Sequence, residues 1–288
     1  MSVLSRPDFD VLRPPGRGAG LLDVVRRRDL AVLLVRKELR VRYRGSVLGL
    51  AWSYVKPAVQ LAVYYFGLGV VLGQGSRVPH YAVYLFAGLV AVNAFSEVVG
   101  NATRSVVANA DLVRKVYLPR ELFPVSSLCV AGVHLLPQLL VLTAGALVAG
   151  WRPDAAGVLS AVGAVLLVAG FGLGLGLVLS ALNVFFRDVE NLVDLVLSVV
   201  VWTSPVLYAT ERVVRLLGEG PLLSAYLSNP LTVAVQLMHR AFWEGAAGVR
   251  GTGPDAAHLA AATVVVVAVL CVGQWTFARL SPRFGEQL

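Results

Sequence analysis

Six long apolar stretches organise the chain, at about Pro57–Gly73 with a start as early as Val47, then Tyr81–Val99, Phe123–Ala149, Ala155–Asn183, Leu192–Tyr208 and His258–Phe277. A helix needs about 20 mostly apolar residues to cross a bilayer, so the pattern predicts an all-α integral membrane protein with six transmembrane helices. Between Glu211 and Arg250 the pattern is mixed, with GEGP, then LLSAYL, then NPLTVAVQLMHRAFW. That segment is too polar for a clean span and too apolar for a free loop, which predicts short re-entrant or interfacial helices before the last span. Ahead of the first apolar stretch, RKELRVRYRGSVLGLAW follows another rhythm. Val32, Val35, Leu39 and Tyr43 recur at three- and four-residue spacing, while Arg36, Lys37, Arg40 and Arg44 gather on another side. This predicts a basic amphipathic interfacial helix within residues 21–46. Residues 1–20 contain RPPGRGAG and lack an apolar core, so they read as a flexible cytosolic tail rather than a signal peptide. Residues 47–288 form the six-span domain.

Composition agrees with the pattern. The 288 residues are 57% hydrophobic and 15% charged, against about 25% charged in soluble domains. The net charge of +8 sits mainly beside apolar runs, where topology explains it better than nucleic acid does. Nineteen of the 25 Lys and Arg residues fall in the N-terminal region, the Gly100–Leu122 loop, the turn at Arg187 and the tail; six (Arg77, Arg152, Arg212, Arg215, Arg240, Arg250) fall between them. The positive-inside rule then places both termini in the cytosol of a multi-pass plasma (inner) membrane protein. Trp52, Tyr81, Trp151, Trp202 and Trp243 lie mostly near span ends, the preferred level for amphipathic rings. Cys129 and Cys271 sit in apolar runs and form no disulfide or metal framework.

Catalytic chemistry finds little support. His80, His134, His239 and His258 are far apart in the expected topology, and no Ser-His-acid or paired-carboxylate arrangement suggests itself. No G-x-x-x-x-G-K-[ST] is present, and Lys37, Lys56 and Lys115 follow Arg, Val and Arg, so this chain has no phosphate loop for ATP and no cofactor of its own. The glycines 170, 172, 174 and 176 lie deep in an apolar run and point to close helix approach. A proton-coupled transporter would place acids near the bilayer midplane, whereas Glu97 and Asp194 fall close to cytosolic ends of their spans. A membrane glycosyltransferase would need a carboxylate cluster, and the outer segment offers Glu211, Glu219 and Glu244.

Several segments remain as candidate sites. ADLVRKVYL can form a short amphipathic helix ended by Pro119, fit to seat in a groove of another protein. Arg187 and Asp188 mark a second cytosolic point, equally readable as a capped loop with an anchor. Asn229-Pro230 is a helix start with Asn as cap and Pro at the first position, and Arg240 on that helix suits an interfacial anchor or a partner for phosphate. Tyr54, Tyr64, Tyr65 and Phe66, with Gln60 one turn before Tyr64, offer stacking surfaces for sugar or ordinary packing. The basic helix suits either anionic lipid or a phosphate-bearing substrate.

Four stretches in order, YRGSVLGLAWSYVKPAVQLAVYYFGLGVVLG, NADLVRKVYLPRELFPVSS (Asn109–Ser127), LNVFFRDVENL followed by SPVLY (Leu182–Tyr208) and NPLTVAVQLMHRAFWEG (Asn229–Gly245), resemble the membrane subunit of ABC exporters for polysaccharides and polyol phosphates. Lys56 departs from that pattern, where Asn is commoner. The resemblance implies export of a polyprenyl-pyrophosphate-linked glycan of O-antigen, teichoic acid or galactan type. It also implies a homodimer of permeases, driven by two copies of a cytosolic ATPase that binds ATP and magnesium. It places a coupling helix at Asp111, Leu112, Val113, Arg114, Lys115, Val116 and Tyr117 with Arg187 and Asp188 as a second contact, and an outer gate at Asn229, Pro230 and Arg240. Uptake of the pyrophosphate then falls to Arg36, Lys37, Arg40 and Arg44, and the glycan path to Tyr54, Gln60, Tyr64, Tyr65 and Phe66. The alternatives are a permease for small molecules or drugs and, further off, a proton-coupled transporter.

Overall fold

A computed structural model describes residues 20–116, 118–249, 251 and 253–288, and among them there is no β-strand. The expected tail lies outside the described residues except for Gly20, as does Tyr117 of the expected coupling helix. The helices are α1 (Leu21–Arg26), α2 (Arg28–Tyr43), α3 (Trp52–Tyr64), α4 (Tyr81–Ala108), α5 (Ala110–Lys115), α6 (Leu122–Val148) and α7 (Ala155–Phe185). There follow α8 (Val189–Thr203), α9 (Thr210–Leu217), α10 (Pro221–Leu227), α11 (Pro230–Met238), α12 (Glu244–Ala247), α13 (Ala256–Leu280) and α14 (Phe284–Gln287). Wider π-type turns extend α3 over Tyr65–Val71 and α11 over His239–Trp243.

Among the described residues four helical stretches are long and apolar enough to cross a membrane: Tyr81–Ala108, Leu122–Val148, Ala155–Phe185 and Ala256–Gln287. The other two expected spans fall on α3 with its π-type extension and on α8. The interrupted fifth stretch has a local cause. α8 stops at Thr203 because Pro205 lacks an N–H and pushes Ser204 out of the helical region, where it sits at φ −101, ψ 153. The carbonyls this frees are met from α4: Tyr84 Oη donates to Pro205 O (3.1 Å) and Tyr208 O (2.9 Å), and Tyr81 Oη to Leu207 O (3.4 Å). Irregular backbone inside a membrane bundle is tolerable only where protein satisfies it in this way.

α4 is the central helix. Its apolar window is 78% buried, against 17% for Ala256–Gln287, and it packs on α6, α7, α8 and α11. The glycine series of α7 lets two neighbours approach on two faces. A Cβ on Gly172 or Gly176 would lie 2.8 Å from Val98 Cγ1 or 2.6 Å from Ala102 Cβ on α4. On the other face, one on Gly174 would lie 2.9 Å from Leu270 N on α13, and one on Gly273 only 2.4 Å from Gly174 O. Backbones this close exclude any side chain, the usual logic of small-residue membrane interfaces.

A second core gathers at the end of the bundle that carries the basic helices, called here the basic end. Val24 and Leu34 of α1 and α2 meet Val106, Phe123, Ala181, Phe277 and Phe284 from the ends of α4, α6, α7, α13 and α14. The Arg120 guanidinium lies over the Phe284 ring, 5.6 Å from its centre. The first and last described helices thus share this core.

α2 is turned differently from the expected interfacial helix. Leu34 is buried and Val35 half-buried, but Val32 and Leu33 are exposed. The inward face is completed by charged groups: Lys37 Nζ donates to Asn109 Oδ1, and Ser126 Oγ donates to Glu38 Oε1 (2.9 Å). Burial raises the Glu38 carboxyl above the usual range, with the Ser126 hydrogen bond and the charges of Lys37 and Arg42 acting against it. The helix ends at Tyr43, so Arg44 belongs to the following turn.

Candidate functional site: a polar cleft beneath the basic helix

On α4, Asn93, Glu97 and Asn101 repeat every four residues and form one polar stripe. Glu97 is well inside the helix, because α4 runs on to Ala108 instead of stopping near Val99. This corrects the expectation that Glu97 sits at a span end. The stripe faces α2, α3 and α6, and Arg42 closes it from above. Arg42 Nη1 donates to Glu97 Oε1 at 2.7 Å and Nη2 to Asn101 Oδ1 at 2.9 Å. His134 of α6 places Nδ1 2.5 Å from the same Glu97 oxygen and 3.0 Å from Arg42 Nη1. Its Nε2 is 2.8 Å from Tyr43 Oη, which is 3.1 Å from Ser53 Oγ.

The expectation that no Ser-His-acid arrangement suggests itself did not foresee His134 against Glu97, and His258 also lies 3.7 Å from Asp255. A carboxylate beside Nδ1 favours the tautomer with the proton there, leaving Nε2 to accept from Tyr43. Ser53 reaches the ring only through Tyr43, so the chain of bonds orients α2 instead of activating the serine. Charged and polar groups at this depth are expensive and mark functional positions by default.

The cleft encloses about 640 Å³ and is lined by Arg42, Lys56, Gln60, Asn93, Glu97 and His134 among others. Pro57, inside α3, removes one backbone donor and loosens that helix beside the hollow. A second hollow of about 330 Å³, lined by Tyr54, Leu61, Tyr65, Phe86 and Val141, shares Pro57 and Gln138 with it and is almost wholly apolar. Gln138 is 5% exposed; its Nε2 donates to His134 O (3.2 Å), and its Oε1 has no partner. A polar compartment thus lies beside an apolar one, with Pro57 and Gln138 lining both.

The expected site residues separate. Arg36, Arg40 and Arg44 are exposed, none of them lines the cleft, and Lys37 is occupied by Asn109. The basic residues that line the cleft are Arg42 and Lys56. Of the aromatic set, Tyr54 and Tyr65 line the apolar hollow and Gln60 the polar one, where it accepts from Asn93 Nδ2 (3.1 Å). Tyr64 turns to α8 and meets Trp202 edge-on, centroids 6.1 Å apart, while Phe66 is exposed. The i, i+3, i+4 spacing of Ser53, Lys56, Pro57 and Gln60, facing the α4 stripe, is the signal that would have found the cleft.

In α5, Asp111, Arg114 and Lys115 are exposed, as is the following Val116, whereas Leu112 and Val113 pack into the second core. Four of the six described residues of the expected coupling helix are presented outward. Arg187 and Asp188 are exposed beside exposed Phe186. Asp188 makes no side-chain cap bond to α8, which removes the capped-loop reading. Arg104, expected in a loop, is on α4 and pairs with Asp194 of α8, with Glu190 at 4.0 Å.

At the opposite end, Asn229 Oδ1 accepts from Leu231 N (2.9 Å) and Pro230 opens α11 as expected. Every residue of α11 is buried, so the helix enters the bundle. Arg240 is exposed and packs on Gly253, where a Cβ would be 2.8 Å from its Cδ. His239 stacks on Tyr84 with centroids 3.9 Å apart and bonds Tyr84 O at 3.0 Å.

A family model described as ABC-2 type transporter matches residues 30–243, a range that holds the whole cleft and α11. An O-antigen export system permease protein RfbA of Klebsiella pneumoniae is 32% identical over 208 residues, 69% of this chain and 78% of the relative. A second, from Myxococcus xanthus, is 31% identical over 265 residues, 91% of this chain and 96% of the relative.

Proposed function

The chain belongs to the ABC-2 type transporter family, and from that premise we propose that it is the membrane subunit of an exporter of a polyprenyl-pyrophosphate-linked polysaccharide. The basic end faces the cytosol of the plasma membrane, a reading that the distribution of Lys and Arg supports. α3 with its π-type extension and α8 then serve as the first and fifth of six crossings, and both termini are cytosolic. Two copies pair, and the exposed Asp111, Arg114, Lys115 and Val116, together with Arg187 and Asp188, meet two ATPase subunits that carry ATP and magnesium. α11, capped by Asn229 and Pro230, stands at the exit.

The observation that carries this reading is the Arg42–Glu97 pair roofing a polar hollow that lies beside an apolar one. A lipid-linked anion has that same division. Arg36, Arg40 and Arg44 draw it to the surface, and Lys56 gives the cleft a positive charge without an ionic partner among the described residues. Phosphate oxygens compete with Glu97 for the forked donors of Arg42. When they win, the bond that ties α2 to α4 opens, so substrate binding itself loosens the roof. The names of the relatives favour a glycan over a small-molecule or drug substrate, and the family favours ATP drive over proton coupling. The test is surface glycan in cells carrying Arg42→Gln. Lipid-linked glycan is expected to accumulate inside while the chain inserts normally, and undiminished surface glycan would refute the reading.

A further inference from the structure

A third hollow lies at the opposite end of the bundle, about 400 Å³, between α9, the α11 π-type turn and the start of α13. Its floor includes Gln236, only 6% exposed. Among the described residues the Gln236 side-chain amide makes no hydrogen bond, although buried amides in folded proteins are almost always paired. The neighbouring polar groups of the floor are engaged: His239 Nε2 with Tyr84 O at 3.0 Å, and Trp243 Nε1 with Pro79 O at 2.7 Å. Gln236 offers both a donor and an acceptor to whatever fills the space, as does the Thr210 hydroxyl that also lines it.

The walls narrow the chemistry. Glu211 and Asp255 supply carboxylate acceptors; Arg215 and His258 supply donors; Val78, Val214, Leu227 and the edge of Trp243 supply an apolar side. Among the described lining residues two carboxylates face one guanidinium, the reverse of the basic cleft, so a phosphate would be repelled. A ligand with one apolar face, hydroxyls along its edge and no negative charge meets all of these groups together. Hollows of this size that combine apolar walls with a few convergent polar groups are typical of small-ligand sites.

We propose that this hollow binds an uncharged sugar residue. One ring hydroxyl donates to Gln236 Oε1 while its neighbour accepts from Gln236 Nε2, and further hydroxyls donate to Glu211 and Asp255. The assignment to the outer side of the membrane rests on the export reading, in which the hollow receives sugar that has passed α11.

The purified chain in nanodiscs of phosphatidylcholine is examined by saturation-transfer NMR with trimers of mannose, galactose and N-acetylglucosamine, and with mannose 6-phosphate. At least one neutral trimer is expected to receive saturation and the phosphate sugar is not. Gln236→Leu, and separately Glu211→Ala on the exposed side of α9 where folding is not at stake, should each weaken that binding roughly tenfold or more. No transfer to any trimer, tighter binding of mannose 6-phosphate, or unchanged binding in both variants would overturn the proposal. Export dependent on Arg42 with no sugar binding sinks this inference alone; sugar binding with export indifferent to Arg42 sinks the export reading alone.

Discussion

The cleft beneath α2 and the hollow above α11 are both polar pockets in an apolar bundle, yet they are built by opposite means. In the cleft every charged group except Lys56 is already paired, and the pairs join different helices: Arg42 to Glu97 and Asn101, His134 to Tyr43 and Glu97. In the hollow Asp255 lies 3.7 Å from His258, but among the described residues Gln236 and the Glu211 carboxylate are unpaired, and Gln236 sits on α11, a helix buried along its whole length. A site made of mutual partners has to be opened by its ligand, and opening it moves a helix. One made of waiting groups on a fixed element can only hold. The same contrast appears in charge, with Arg42 and Lys56 against Glu97 at the basic end and Glu211 and Asp255 against Arg215 at the other.

The largest expected effect comes from breaking that contrast at its hinge. Arg42→Glu sets a second carboxylate against Glu97 and should reduce export roughly a hundredfold or more. Limited proteolysis should then cut between α2 and α3 in a chain that still inserts. Exchange of the pair, Arg42→Glu with Glu97→Arg, should restore resistance to proteolysis but not export, because the cation then stands on the wrong helix. Lys56→Gln leaves the roof closed and should cost roughly tenfold in export through the lost charge–phosphate contact. At the coupling surface, Arg114→Glu with Lys115→Glu should abolish substrate-stimulated ATP hydrolysis in the assembled transporter while membrane levels stay normal. Val113→Asp should instead lower the amount of inserted protein, since it puts a charge into the second core.

Much of this architecture is legible in the chain. The six apolar runs, the Asn-Pro start of α11 and the glycine series each express a local rule, and the structure uses them as that rule says for the four long helices, the cap and the close approach of α7 to α4 and α13. The cleft was half legible. Asn93, Glu97 and Asn101 advertise a polar stripe, but sorting α2 by hydrophobicity assumes that its apolar side faces in. That helix is held by Lys37, Glu38 and Arg42 instead, and Val32 and Leu33 are turned outward. Lys56 carries no such signal, because it departs from the pattern that the surrounding stretch otherwise shares with the family. The inward face of α5 could not be read, because it is set by α14, the far end of the chain. The hollow at the opposite end is assembled from segments scattered between Val78 and His258, and no short spacing announces it.

The smallest predicted effect concerns Glu38. Its carboxyl is raised above the ordinary value by burial, so the folded chain holds that proton more tightly than the unfolded chain does. This contribution is fully present below the ordinary carboxylate value and is lost as the pH rises through the raised one. Glu38→Gln should keep the Ser126 bond and make the melting temperature less dependent on pH across that window, checked by thermal unfolding in detergent at acid and neutral pH. An unchanged pH profile would mean that Glu38 is better solvated than its position indicates.

The central claim is that the anion is received by Arg42 and Lys56 in the cleft, rather than by the basic residues on the outer face of α2. Binding of a short-chain polyprenyl pyrophosphate to the purified chain in phosphatidylcholine nanodiscs tests it directly. Arg42→Gln with Lys56→Gln should weaken binding roughly a hundredfold, whereas Arg36→Gln with Arg40→Gln and Arg44→Gln should weaken it by no more than about threefold, an effect of surface potential that salt abolishes. The reverse order, with the surface triple variant crippled and the cleft double variant nearly normal, would contradict the account.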